Sequence, residues 1–174
     1  DLSGVAVDMH SHLLPGIDDG SPDTETSLSL VSGLREMGYA RFIATPHVLW
    51  DLYRNDDGTI EESLRDLQAA MVSADQHVPL SAAAEYMIDD HFAQMLAEKA
   101  PFRCLTGKLL LVEFSFVSLP YEWKKIFFDL QMLGYQPVLA HPERYTYLAG
   151  DTSIFQEIAD MGILLQVNIN SLTG

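Results

Sequence analysis

Several histidines and carboxylates in this chain stand where apolar runs end, a setting in which polar side chains need a reason. The segment Asp8-Met9-His10-Ser11-His12 puts two imidazoles at alternate positions. Residues two apart on an extended strand face the same way, with Cα atoms about 7 Å apart, so His10 and His12 are able to grip one ion. An isolated H-x-H also occurs as plain strand-end polarity. Gly16-Ile17-Asp18-Asp19-Gly20 follows, and alone it reads as an acidic turn between two glycines. Ala44-Thr45-Pro46-His47, Ala84-Glu85, Val112-Glu113-Phe114 and Ala140-His141-Pro142-Glu143-Arg144 each close an apolar run with a histidine or glutamate. A carboxylate there, as at Glu113, is costly to bury unless it is paired or bound to a cation. Singly, each is better read as a satisfied structural residue. Jointly, four of the six histidines and two glutamates at run ends point to divalent cations. His77 and His91 lie in or beside helical stretches and read as surface residues.

The elements that must position these residues alternate along the chain. Strands are expected at 5–10, 41–45, 80–85, 109–114, 137–141 and 164–168. Between them, helices are expected at 22–37, from Thr59 to 74, and at 89–99, 121–133 and 153–161. The first has Ser21 as N-cap, Pro22 at its first position and Gly38 as its stop. Thr59 with Glu62 makes a capping box for the second. Pro120 and Gly134 bracket the fourth. Repeated β-α alternation implies a parallel sheet covered by helices, in one α/β domain over residues 1–174. A closed barrel and an open doubly wound sheet both satisfy that pattern. Polar residues at the C-terminal ends of nearly all strands favour the barrel, whose strand ends converge on one mouth.

With 174 residues, 48% of them hydrophobic, the chain can bury one sizeable core. The longest apolar runs, such as 108–116, are too short and too charged to span a bilayer, and no signal-peptide pattern opens the sequence. The first residue is Asp1 rather than Met, so a longer gene product is expected. The single cysteine, Cys104, excludes an internal disulfide and fits a reducing cytoplasm. A net charge of −15 disfavours nucleic acid. It does not disfavour a phosphate held through metal ions, because about three divalent cations carry six positive charges into one pocket.

Other hydrolytic chemistries lack their motifs. Six residues after Cys104 stands Leu110, not the arginine of a cysteine phosphatase. Asp18 and Asp19 are adjacent, which is not a D-x-D pair. G-x-S-x-G, G-x4-G-K-[ST] and H-E-x-x-H are absent. Water activated by metal is the nucleophile these exclusions leave.

The stretches DMHSHLLPGIDDG, IATPH, Tyr53-Arg54-Asn55, AAAEY, LLVEF, AHPERY and QVNINSLTG give the chain a family likeness. It resembles the PHP (polymerase and histidinol phosphatase) superfamily, and within it the bacterial manganese-dependent protein-tyrosine phosphatases of capsule and exopolysaccharide clusters. The resemblance implies a distorted TIM-like (β/α)7 barrel whose last strand, with a D-x-H pair and a further arginine, lies beyond this chain. It implies His10, His12, Asp19, His47, Glu85, Glu113 and His141 as metal ligands, with Glu85 bridging two ions. Asp19 is preferred to Asp18 because the family's ligand is the second acid before the glycine. His141 and Arg144 become catalytic residues, Arg144 binding phosphate through its planar guanidinium.

The expected cofactor is Mn2+ as two or three ions, in a site also compatible with iron, zinc or magnesium. The expected reaction is phosphomonoester hydrolysis on a phosphotyrosine protein, in particular a bacterial tyrosine kinase tail. No nucleic acid and no membrane insertion are expected, and a homo-oligomer is compatible. Trp50 and Tyr53, in the segment after His47, either stack on an aromatic substrate or pack over the barrel mouth. The rival readings are a small-molecule phosphatase of the histidinol phosphate kind, a nuclease disfavoured by the acidity, and a metal-stabilised regulatory module without turnover.

Overall fold

The computed structural model describes residues 2–151 and 153–173. Asp1 and Gly174, the last residue of the final motif, lie outside the described residues. The chain forms two compact units, Asp1–Ala84 and Glu85–Gly174.

In the first unit, β1 (Val7–Ser11) leads to α1 (Thr24–Glu36), β2 (Arg41–Ala44), the two-residue β3 (His47–Val48), α2 (Asp57–Ser73) and β4 (Leu80–Ala82). The sheet runs β1-β2-β4, with both pairings parallel. Strand β2 is buried along Phe42, Ile43 and Ala44, as expected where helices cover a parallel sheet. Helix α2 turns Ile60, Leu64, Leu67 and Met71 inward at helical spacing.

The helix starts differ from expectation by a few residues, for a physical reason in each case. Asp23, not Ser21, caps α1, accepting from the Thr26 amide at 2.8 Å. Ser21 is buried, its hydroxyl donating to the Asp23 carbonyl at 2.9 Å. Asp56 caps α2, with Thr59 at the third helical position returning the bond to the Asp56 amide at 2.8 Å. Aspartate accepts the first free helix amides as well as serine or threonine does, so Asp23, just after the expected cap, and Asp56, just before it, take the two starts.

In the second unit, β5 (Glu85–Met87) is followed by α3 (Asp90–Ala97), β6 (Leu109–Glu113), α4 (Trp123–Met132) and β7 (Gln136–Ala140). Two 3-10 turns (Pro142–Arg144 and Thr146–Leu148), α5 (Ser153–Asp160), β8 (Leu164–Gln166) and α6 (Ile169–Thr173) complete it. The strands lie in the order β5-β6-β7-β8, all parallel. Leu110, Leu111 and Val112 of β6, with Leu139 and Ala140 of β7, are excluded from solvent. Trp123, Phe127 and Leu130 of α4 complete the core beside Phe114.

The α/β class with parallel sheets is as the alternation implied. The strand expected at 80–85 is instead two: Leu80–Ala82 pairs with β2, and Glu85–Met87 pairs with β6. Glu85 therefore opens a strand rather than closing one. The Ala83 amide still reaches the Ala44 carbonyl at 2.8 Å, and the break follows it. Among the described residues, no helix is long and apolar enough to cross a membrane.

Candidate metal centre

In the first unit, the loop after β1 folds back on itself. The Ser21 amide donates to the His12 carbonyl (3.1 Å), and the Gly16 amide to the Ser21 carbonyl (2.8 Å). This return brings Gly20 so close to His12 that a Cβ at position 20 would overlap the His12 Cβ and carbonyl oxygen. Only glycine fits there.

The same loop carries both acids of the GIDDG turn and separates their roles. The Asp18 side chain is fully buried, with Oδ2 2.7 Å from His12 Nδ1 and 3.1 Å from the His47 amide. Its other oxygen accepts the Gly20 amide at 3.0 Å. Burial pushes this carboxyl upward, but the bond and charge of His12 and the two amides outweigh it, so Asp18 sits below the usual carboxylate value. Such a carboxylate fixes the imidazole's orientation and leaves Nε2 as the nitrogen for a cation. Asp19 faces solvent, with Oδ1 3.5 Å from His47 Nε2.

Nitrogen or oxygen donors of His12, Asp19 and His47 all lie within 4.8 Å of one another. Donors about 2.1 Å from one ion are separated by at most about 4.2 Å, so the three could share a single divalent cation after small side-chain shifts. His10 is half-buried within β1, its ring 5.7 Å from that of His12. Asn55 is buried, and its amide donates to the carbonyls of Ile17 and His47 at 2.8 Å each, tying the acidic turn to the start of β3.

Tyr53 stacks near-parallel on His47, with centroids 5.8 Å apart. Burial, then Asp19 and Asp18, hold its phenol above the usual value. Trp50 lies on the surface beneath the Arg54 guanidinium, at 5.8 Å. His77 is exposed beside Asp75, whereas His91 is half-buried in α3.

In the second unit, Glu85, Glu113 and His141 form a buried cluster. His141 Nε2 lies 2.8 Å from Glu85 Oε1 and 3.7 Å from Glu113 Oε2, and both glutamates are fully buried. Two carboxylates and one imidazole buried together bring more negative charge than the imidazole can balance. That donor chemistry fits a divalent cation.

His141 has φ 32 and ψ 59, a left-handed conformation uncommon for a residue other than glycine. It falls just where β7 ends, and such strain concentrates at functional positions. Arg144 ends the first 3-10 turn on the surface, its guanidinium carbon 5.0 Å from the Phe116 ring centroid.

Tyr145, which the sequence offers only as the last residue of the AHPERY stretch, holds this cluster's frame. Its buried hydroxyl donates to the Ala140 carbonyl (2.9 Å) and accepts the Phe114 amide (3.0 Å). It thus bridges β6 and β7 beyond their last paired residues, beside Glu113 and His141. Burial pushes this phenol far above its usual value. Asp18, Asn55, Gly20 and Phe116 were likewise not assigned roles.

Each parallel α/β unit thus carries histidine and carboxylate groups of a kind that could hold a divalent cation. The family model described as "Capsular polysaccharide synthesis, CpsB/CapC" matches residues 6–174, and the chain belongs to this family. It is similar to the tyrosine-protein phosphatase YwqE of Bacillus subtilis (strain 168), 30% identical over 168 residues, 97% of this chain and 66% of that protein. It is also similar to the putative tyrosine-protein phosphatase CapC of Staphylococcus aureus, at 29% identity with the same coverage. A solved structure described under "YwqE from Bacillus subtilis and CpsB from Streptococcus pneumoniae, unique metal-dependent tyrosine phosphatases" superposes with a TM-score of 0.88 at 30% identity. That match covers 97% of this chain and 68% of the other. The chain thus spans 66% of the length of the first two relatives.

Proposed function

We propose that the protein is a metal-dependent phosphomonoester hydrolase acting on phosphotyrosine in proteins. The observation that carries this reading is the buried Glu85–Glu113–His141 cluster, a donor set suited to a cation, in a chain of this family. His10, His12, Asp19 and His47 of the first unit and Glu85, Glu113 and His141 of the second are the ligands in this reading. The donor set suits Mn2+ and also iron, zinc or magnesium. A single domain of the barrel type described for PHP proteins, a cytoplasmic location and a tyrosine kinase as physiological substrate belong to the same proposal.

Bound divalent ions would neutralise phosphate charge and lower the pKa of water. Asp18 keeps the His12 imidazole in one orientation, and Tyr145 holds the strand ends that carry Glu113 and His141. Arg144 offers a planar set of donors to the non-bridging phosphate oxygens as charge grows on them. An oxygen–phosphorus bond forms from water as the bond to the phenol oxygen breaks, giving inorganic phosphate and tyrosine. A phenolate leaves readily, so the reaction does not depend on a strong general acid.

The test is phosphate release from a phosphotyrosine peptide and from histidinol phosphate, each with manganese and with chelator. Chelator-sensitive release from the peptide, well above that from histidinol phosphate, is expected. Preference for histidinol phosphate would give the small-molecule reading instead. Equal rates with and without chelator would end metal-dependent catalysis, and no release would leave the non-catalytic regulatory module.

A further inference from the structure

Two residues beyond the fully buried Phe114, Phe116 keeps 43% of its surface open to solvent. Its ring is near-parallel to the His141 imidazole, 25° between planes and 5.7 Å between centroids. The Arg144 guanidinium carbon lies 5.0 Å from the same ring. Two segments, one leaving β6 and one leaving β7, thus place an exposed aromatic surface beside an arginine and a buried imidazole. At that distance the positive guanidinium is attracted to the face of the ring, which holds Arg144 beside it.

We propose that Phe116 is a specificity-determining residue: it carries the phenyl ring of an aryl phosphomonoester while Arg144 binds the phosphate. This rests on the phosphatase reading above. In an aryl phosphate one oxygen separates phosphorus from the ring, so a phosphate on Arg144 leaves the substrate ring close to Phe116. Ring centroids about 4.5–7 Å apart are favourable in offset or edge arrangements. An alkyl phosphomonoester such as phosphoserine has no ring to place there. The preference gained is about three- to tenfold, the range that one aromatic pair supplies.

The experiment compares the manganese-supplied parent protein with Phe116→Leu and Phe116→Trp. It reads inhibition of p-nitrophenyl phosphate hydrolysis by phenylphosphonate, butylphosphonate and inorganic phosphate, and KM for a phosphotyrosine peptide. Phe116→Leu is expected to raise the phenylphosphonate inhibition constant and the peptide KM about three- to tenfold. The constants for butylphosphonate and phosphate should stay within about twofold, and Phe116→Trp should restore aryl binding. An equal rise for all three inhibitors would make Phe116 only a seat for Arg144 and overturn the proposal. So would unchanged constants in both variants. A parent protein that hydrolyses no phosphomonoester removes the function and the platform together, whereas a working parent with an indifferent Phe116→Leu removes the platform alone.

Discussion

Glu85 and His141, 56 residues apart in the chain, bring Oε1 and Nε2 to 2.8 Å with both side chains buried. The contact depends on two ordinary features of a parallel sheet. Glu85 opens β5, His141 follows β7, and β6 between them ends in Glu113. Burying such a group requires compensation for lost hydration, and removing one member leaves the others without it. His141→Ala should therefore destabilise the fold by about 3–5 kcal/mol as well as abolish hydrolysis. Thermal unfolding alongside a phosphotyrosine assay checks both; loss of neither would remove His141 from the cluster.

Asp18→Ala removes a buried carboxylate that holds His12 and the amides of Gly20 and His47. Manganese affinity, measured by calorimetry, is expected to fall about 10- to 100-fold, the usual cost of losing a carboxylate behind a ligating histidine. Unchanged affinity would limit Asp18 to a loop-folding role.

Gly20→Ala should cost about 1–3 kcal/mol, because the new methyl meets His12 backbone and Cβ atoms that cannot swing aside. Chemical denaturation measures it, and parental stability would mean that the loop return is looser than described.

Tyr145→Phe deletes the hydroxyl between Ala140 and Phe114 and leaves an amide and a carbonyl to satisfy. A loss of about 1–3 kcal/mol is expected. Tyr147, in the same segment, has a buried hydroxyl with no hydrogen-bond partner among the described residues, and burial pushes its phenol up to about 12. Tyr147→Phe should therefore be near neutral or stabilising, and equal losses in the two variants would refute the bridging role.

Asp56 gives the pH dependence. Its carboxyl is held below the ordinary 3.8 chiefly by the Thr59 amide. A depressed folded value means that the cap's ionised contribution is complete above about pH 4 and is lost as pH falls through the folded value. Asp56→Ala should cost about 1 kcal/mol at neutral pH, and Asp56→Asn should keep most of the cap while removing its acid dependence. Denaturation midpoints at pH 7 and pH 3 test this; the same pH dependence in Asp56→Asn would contradict it.

What could be read from the sequence was local. The alternate imidazoles of residues 10 and 12, the helix-breaking Gly38 and Gly134, and the apolar runs of β6 and β7 announce themselves over a few residues. Ala82-Ala83-Ala84 carries no glycine or proline to mark where β4 stops, so local sequence puts Glu85 at a strand end, whereas pairing with distant strands makes it a strand start. The bridging roles of Asn55 and Tyr145 carry no local signal, because each joins a nearby backbone carbonyl to a backbone group 38 or 31 residues away. Gly20 looked like turn composition, yet its need for glycine comes from the chain returning onto His12.

Divalent-metal content tests the account most directly. The parent protein, His47→Ala and Glu113→Gln would be loaded with manganese, desalted and submitted to elemental analysis, with phosphotyrosine hydrolysis measured on the same samples. The prediction is about two or three ions in the parent, at least one fewer in each variant, and hydrolysis reduced about 100-fold or more. Undiminished metal and parental rates in both variants would contradict it.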